Sequence, residues 1–146
     1  MNILGIDRIV IMVKDIEKAI DLFGNKYGLE IKKISPDISN KYGANMFLCP
    51  QCNLEVISPI FPLPEHVSPD IKEAVKMLEK QESVIMAFGL KVKNAAQAAK
   101  EVEEKGVRIR NNFETTDFVS LGIENLIEYI PEPEDTLGIS IAFVQD

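Results

Sequence analysis

Histidine occurs once in this chain and tryptophan not at all. The lone histidine, His66, lies beside Pro64 and Ser68 in a segment without strand character, so a surface or helix-start role is expected of it. No Ser–His or Cys–His arrangement is visible, which removes the usual relay for an activated nucleophile. Two cysteines cannot build a disulfide framework. Lys and Arg number 16 against 23 Asp and Glu, a net charge of −7, and an acidic chain is poorly suited to nucleic-acid backbones or anionic lipid surfaces. No apolar run approaches the length of a membrane span. The opening Met1-Asn2-Ile3-Leu4-Gly5-Ile6-Asp7-Arg8 lacks the basic flank and long apolar core of a secretory signal. No nucleic-acid partner, no membrane and a cytoplasmic location are therefore expected. Glycines are scattered singly, so no phosphate-binding loop, dinucleotide fingerprint or nucleophile elbow is present.

What the chain does have is repetition. Val13-Lys14-Asp15-Ile16, Ala19, Gly28-Leu29 and Ile31 reappear as Val92-Lys93-Asn94-Ala95, Ala98, Gly106-Val107 and Ile109. The copies lie about half a chain apart, the mark of one supersecondary unit used twice. With 146 residues, 46% of them hydrophobic and 27% charged, the chain suits one ordinary globular domain.

The first unit reads as a strand over 6–13, then a helix capped by Asp15 and running to about Tyr27. A strand over 29–34 is broken by Ser35-Pro36-Asp37, and two further strands, 45–49 and 53–58, meet at a Pro50-Gln51 turn. A linker over 66–81 carries its own helix, with Ser68 as cap and Pro69 at its first position. The second unit reads as strand 84–92, a helix capped by Asn94, a short strand over 107–109 and a polar loop over 110–116. Strands over 118–121, 126–130 and 138–144 complete it. Module one then spans about residues 4–60, the linker helix 66–81 and module two 83–146.

Two βαβββ units, with the phrases Ile6-Asp7-Arg8-Ile9-Val10-Ile11-Met12-Val13-Lys14-Asp15 and Leu54-Glu55-Val56-Ile57-Ser58-Pro59, resemble the vicinal oxygen chelate superfamily. That group holds glyoxalase I, bleomycin-resistance proteins, extradiol dioxygenases and methylmalonyl-CoA epimerase. Ser68-Pro69 before the second unit and Glu103-Glu104-Lys105-Gly106-Val107-Arg108 within it resemble the epimerase branch. The resemblance implies an α+β fold, with two βαβββ modules forming a curved, mostly antiparallel sheet, and a homodimer. It also implies four metal-ligand positions, which fall on Arg8, Glu55, about Ala87 and about Ala142, and an epimerase-like catalytic acid near Lys41. Only Glu55 among these four offers a donor oxygen. Arginine has no lone pair to give at accessible pH, and one carboxylate is far short of a metal site. No metal and no cofactor are expected.

Arg8 then gains a second meaning, a guanidinium standing where the cation would be, with Glu55 as its partner. The alternatives are that Arg8 faces solvent or grips a ligand's carboxylate or phosphate. The alternation of the strands proposes a ligand-binding set of Arg8, Val10, Met12, Phe47, Glu55, Ile57, Ala87, Gly89, Lys91, Ser140 and Ala142. Its small members leave room for an apolar body, and Arg8 and Lys91 suit an anionic end. Three functions stay open at this level. One is metal-independent binding of a small anionic or amphipathic molecule. Another is a divergent lyase or isomerase with Glu55 and Arg8 as catalytic residues; the third is a subunit kept for its contacts alone. Cys49-Pro50-Gln51-Cys52 reads as two buried or cross-strand thiols. Glu124, Glu128, Glu132, Glu134 and Asp135 read as a solvated edge and turn.

Overall fold

The computed structural model describes residues 1–146. In chain order it has β1 (Ile3–Val13), α1 (Ile16–Ile20), β2 (Lys32–Lys33), α2 (Pro36–Tyr42), β3 (Ala44–Cys49), β4 (Leu54–Pro59), α3 (Pro69–Met77), β5 (Ser83–Val92), α4 (Ala95–Glu103), β6 (Ile109–Thr115), β7 (Leu126–Pro131) and β8 (Ile141–Gln145). Apart from α2 inserted between β2 and β3, the order β1-α1-β2-β3-β4 returns as β5-α4-β6-β7-β8, so the fold is α+β and built on a duplicated βαβββ unit. The chain forms two compact units, Val10–Met86 and Met1–Ile9 with Ala87–Asp146. The division falls inside β1 and β5. The amino-terminal half of β1 therefore belongs with the second repeat.

In the Val10–Met86 unit, β2, β3 and β4 pair antiparallel in that order. The Asp15 side chain accepts hydrogen bonds from the backbone N–H of Glu17 and Lys18, at 3.0 and 3.2 Å, and so starts α1. The helix does not continue as α to Tyr27: Asp21–Lys26 widens into a π-helix. The Leu29 N–H reaches back to the Phe23 carbonyl at 2.9 Å. Gly24 lies so close to Ile31 that a Cβ there would stand 3.1 Å from its Cγ1. The expected strand over 29–34 shrinks to Lys32–Lys33. Ser35-Pro36-Asp37 ends the extended segment as expected and also opens α2, with Ser35 as its cap, Pro36 in its first turn and Gly43 left-handed at its end, at φ 71°. Val13, Ala19, Phe47, Cys49 and Val56 form the core, with Ile16, Ile20 and Phe23 packed against it.

In the other unit the strands run β5-β8-β7-β6. The β5–β8 pair is parallel and the rest antiparallel. Asn94 caps α4 by accepting from the Gln97 N–H at 2.8 Å, and the Gln145 side chain accepts from the Ala95 N–H at 3.1 Å. Val92, Ala95, Ala98 and Phe143 make this unit's core, with Leu90, Val102, Ile127 and Tyr129 against it. The amino group of Met1 pairs with Glu101 on α4. Three sequence expectations change here. Residues 110–116 are not a loop, because Ile109–Thr115 is β6, registered on β7 from Ile109↔Pro131 to Thr115↔Leu126. It ends the strand order, and the outer strand of a sheet tolerates a polar run. Residues 118–121 are not a strand: Val119–Leu121 is a 3-10 turn that buries Phe118 and Leu121. The last strand begins at Ile141, not 138, because Leu137 and Gly138 are left-handed, at φ 60° and 78°.

Candidate functional site

Alternation along β5 and β8 separates two faces. Leu90, Val92 and Phe143 point to the α4 core. Side chains of opposite phase, at Ala87, Gly89 and Lys91 on β5 and Ala142 and Val144 on β8, occupy the other face. The parallel register sets Gly89 beside Ala142 and Lys91 beside Val144. Ser140 precedes β8, and its carbonyl accepts from the Phe88 N–H at 3.2 Å. On β7, Glu128 registers with Val144 and alternates with Ile127 and Tyr129, so it belongs to the same face. Reading Glu128 as part of a solvated acidic edge missed this placement.

Arg8 is not at a solvent-facing edge. It is 7% exposed, and its Nε donates to Asp7 Oδ2 at 2.6 Å, with Asp7 only 9% exposed. Two opposite charges are thus removed from water together, in a charge-assisted hydrogen bond. Gly89 makes the space for this. A Cβ on residue 89 would stand 2.7 Å from Val144 Cγ2 and 3.3 Å from Asp7 Cβ, and Asp7 Oδ2 lies 3.7 Å from the same point. The absent side chain lets the buried carboxylate approach β5. Lys91 pairs with Asp146 at 2.6 Å, and its side chain remains 44% exposed. The hydrogen bond from Lys91 to Asp146 raises the lysine's pKa, which keeps the ammonium charged.

The Val10–Met86 unit holds the other proposed residues. Met12 is fully buried and Ile57 nearly so; Glu55 is half-buried on β4, registered opposite Leu48. Phe47 does not join them. It registers with Val56, shares the core of Val13 and Ala19, and its ring centroid lies 6.5 Å from that of Phe23. The β3 phase turns it to the helix side, so it leaves the ligand-binding set. His66 is exposed, and its Nε2 stands 3.0 Å from the Lys41 carbonyl oxygen, a group that can only accept, so the ring N–H donates. Cys49 is fully buried as expected, but Cys52 is exposed.

A cleft of about 340 Å³ opens in the Ala87–Asp146 part of the chain, lined by Glu103, Ile109, Arg110, Asn111, Asn112 and Tyr129. Tyr129 packs with the α4 core, so this cleft lies on the helix side and shares no residue with the proposed set. Nowhere do three His, Cys, Asp or Glu side chains gather in a way that could hold a metal ion.

Fold and register therefore define a duplicated βαβββ protein with a buried arginine on one strand face. The family model of the Glyoxalase/Bleomycin resistance protein/Dioxygenase superfamily matches residues 5–143, and the chain belongs to that superfamily. No curated protein matches the chain. Among solved structures it is similar to methylmalonyl-CoA epimerase from Mycobacterium tuberculosis, at 19% identity over 97% of this chain and 87% of that one, with a TM-score of 0.70. A methylmalonyl-CoA epimerase in complex with methylmalonyl-CoA and NH4+ is similar at 16% identity, 98% and 94% coverage and a TM-score of 0.71. A hypothetical protein from Bacillus halodurans C-125 is similar at 18% identity, 97% and 93% coverage and a TM-score of 0.69. At such identities the likeness speaks for the fold alone.

Proposed function

We propose that this protein binds a small anionic or amphipathic molecule without a resident metal, on the strand face that carries Arg8, Ala87, Gly89, Lys91, Ser140 and Ala142. The observation that carries the reading is the Asp7–Arg8 pair. Where the family resemblance puts a histidine ligand, this chain buries a guanidinium already neutralised by its neighbour, at 2.6 Å. The two second-repeat ligand positions hold alanine, which contributes space and no lone pair. Lys91 is the group suited to an anionic end, because its side chain is 44% exposed and its partner, the carboxylate of the last residue, Asp146, is one that a ligand's anion can replace. Phe47, turned into the helix-side core, is not a ligand contact.

The lyase or isomerase alternative asks Glu55 to move a proton and Arg8 to stabilise a developing enolate. The Asp7 carboxylate weakens it, since half of a neutral pair offers an enolate less net charge than a lone guanidinium. We also assign the protein to a homodimer, a reading supported by Ile3, Leu4 and Ile6, each at least half exposed on β1.

Native mass spectrometry of the full chain, isolated without chelators, tests the reading. A retained small molecule and no stoichiometric metal are expected, with Lys91→Ala lowering affinity for an anionic ligand about tenfold or more. Tight binding of one divalent ion per chain, or turnover of methylmalonyl-CoA or methylglyoxal that Glu55→Gln abolishes, would replace it.

A further inference from the structure

The Cys49–Cys52 turn belongs to no part of the proposed binding face. Cys49 closes β3 inside the core with Phe47 and Val56, at 0% exposure. Cys52 stands exposed three residues later. The Cys52 N–H donates to the Cys49 carbonyl at 3.3 Å, which closes a tight turn, and the Cys52 Sγ lies 3.8 Å from that same oxygen. A turn of this kind holds its end Cα atoms within about 7 Å, and a disulfide spans roughly 4.4–6.8 Å between Cα atoms. Asn53, left-handed at φ 52°, turns the chain back into β4. The tip is also tied sideways, because Gln51 Oε1 accepts from the Glu30 N–H at 3.0 Å.

We propose that Cys49 and Cys52 form a redox modification site, with Cys52 as the thiol oxidised first and Cys49 as the resolving thiol. Accessibility sets the order: an oxidant in water reaches Cys52 and not Cys49. Burial pushes the Cys49 thiol up to about 11, with the neighbouring Cys52 adding to the rise, so Cys49 is not the thiol that reacts first. With a peroxide as oxidant, the Cys52 sulfur attacks one oxygen and the O–O bond breaks. One water leaves, and Cys52 becomes a sulfenic acid. The Cys49 sulfur then attacks the Cys52 sulfur. The S–S bond forms as the S–O bond breaks, and the departing hydroxyl takes the Cys49 proton as a second water. Two thiols are oxidised by two electrons and one peroxide is reduced. A thiol reductant reverses the step.

The full-length protein treated with hydrogen peroxide, then digested without reduction, tests this. The peptide carrying both cysteines should lose two hydrogens, both thiols should vanish together from alkylation after denaturation, and dithiothreitol should restore both. In Cys49→Ser the sulfenic acid should instead persist on Cys52 and be trapped by dimedone. In Cys52→Ser, Cys49 should remain reduced. Should either variant fail to fold, the wild-type measurement decides alone. Oxygen accumulating on Cys52 while Cys49 stays alkylatable would overturn the proposal, as would a Cys52–Cys52 bond between chains.

Discussion

Arg8 and Arg108 sit in the same unit, and both hold a neighbouring carboxylate with good geometry, yet they stand for opposite physics. Arg108 is open to water. Its Nε donates to Asp135 Oδ2 at 2.9 Å, one Nη bonds Glu134 at 3.1 Å and Asp135 Oδ1 at 3.0 Å, and its backbone N–H also finds Asp135. Those bonds hold the Asp135 carboxyl below its usual range and raise the arginine further. Arg8 and Asp7 meet with both side chains below a tenth exposed. The exposed network contributes less to stability, because water screens its charges and competes for their hydrogen bonds. The buried pair matters more, since losing one partner leaves a charge where water cannot reach it.

The largest effect should come from splitting the buried pair. Asp7→Ala should cost roughly 3–5 kcal/mol in denaturant unfolding, because it removes the carboxylate that Arg8 bonds at 2.6 Å, away from water. Replacing both residues, Asp7→Leu with Arg8→Met, should recover most of that loss, since apolar side chains of similar volume carry no desolvation cost. A double variant as unstable as Asp7→Ala would show that packing, not charge, governs the site. Next comes Gly89→Ala, whose new methyl meets Val144 and Asp7. Overpacking of this kind costs roughly 1–3 kcal/mol, and the NMR signals of the Arg8 Nε–H should shift with it.

Arg108→Ala should leave the urea midpoint nearly unchanged at moderate salt. The smallest effect is its pH dependence. Asp135 has a lowered pKa when folded, so its contribution is present above the unfolded carboxylate value and fades as pH falls through the folded one. A thermal-melting difference between wild type and Arg108→Ala should appear at neutral pH and low salt, and vanish in acid. If that difference exceeded the Asp7→Ala loss, the contrast between the two arginines would fail.

The duplication, the α1, α3 and α4 caps and strands β3, β4, β5 and β7 were all legible in the residues. Elsewhere composition and position in the fold point to different elements. Ser35-Pro36 has the same syntax as Ser68-Pro69 and both ends the extended segment and starts a helix, whose stop Gly43 marks. The run 110–116 carries too few apolar residues to show strand period, because water covers much of the outer strand β6. Phe118–Leu121 is apolar enough for a strand, but Gly122 at φ 88° closes it as a turn. At the candidate site, alternation put Phe47 on the wrong face, since period alone does not fix phase across a hairpin. Asp7 is not a partner that alternation suggests for Arg8, because adjacent strand residues are assigned to opposite faces. Gly89, Lys91 and Ala142, by contrast, fall on one face as their spacing required.

A guanidinium paired with Asp7 stands where the family resemblance places a metal ligand. Titration of the full chain with zinc, cobalt and magnesium by calorimetry, with metal analysis after desalting, decides whether an ion binds there. No stoichiometric uptake by either the wild type or Asp7→Asn is the predicted result. One ion retained per wild-type chain would contradict it.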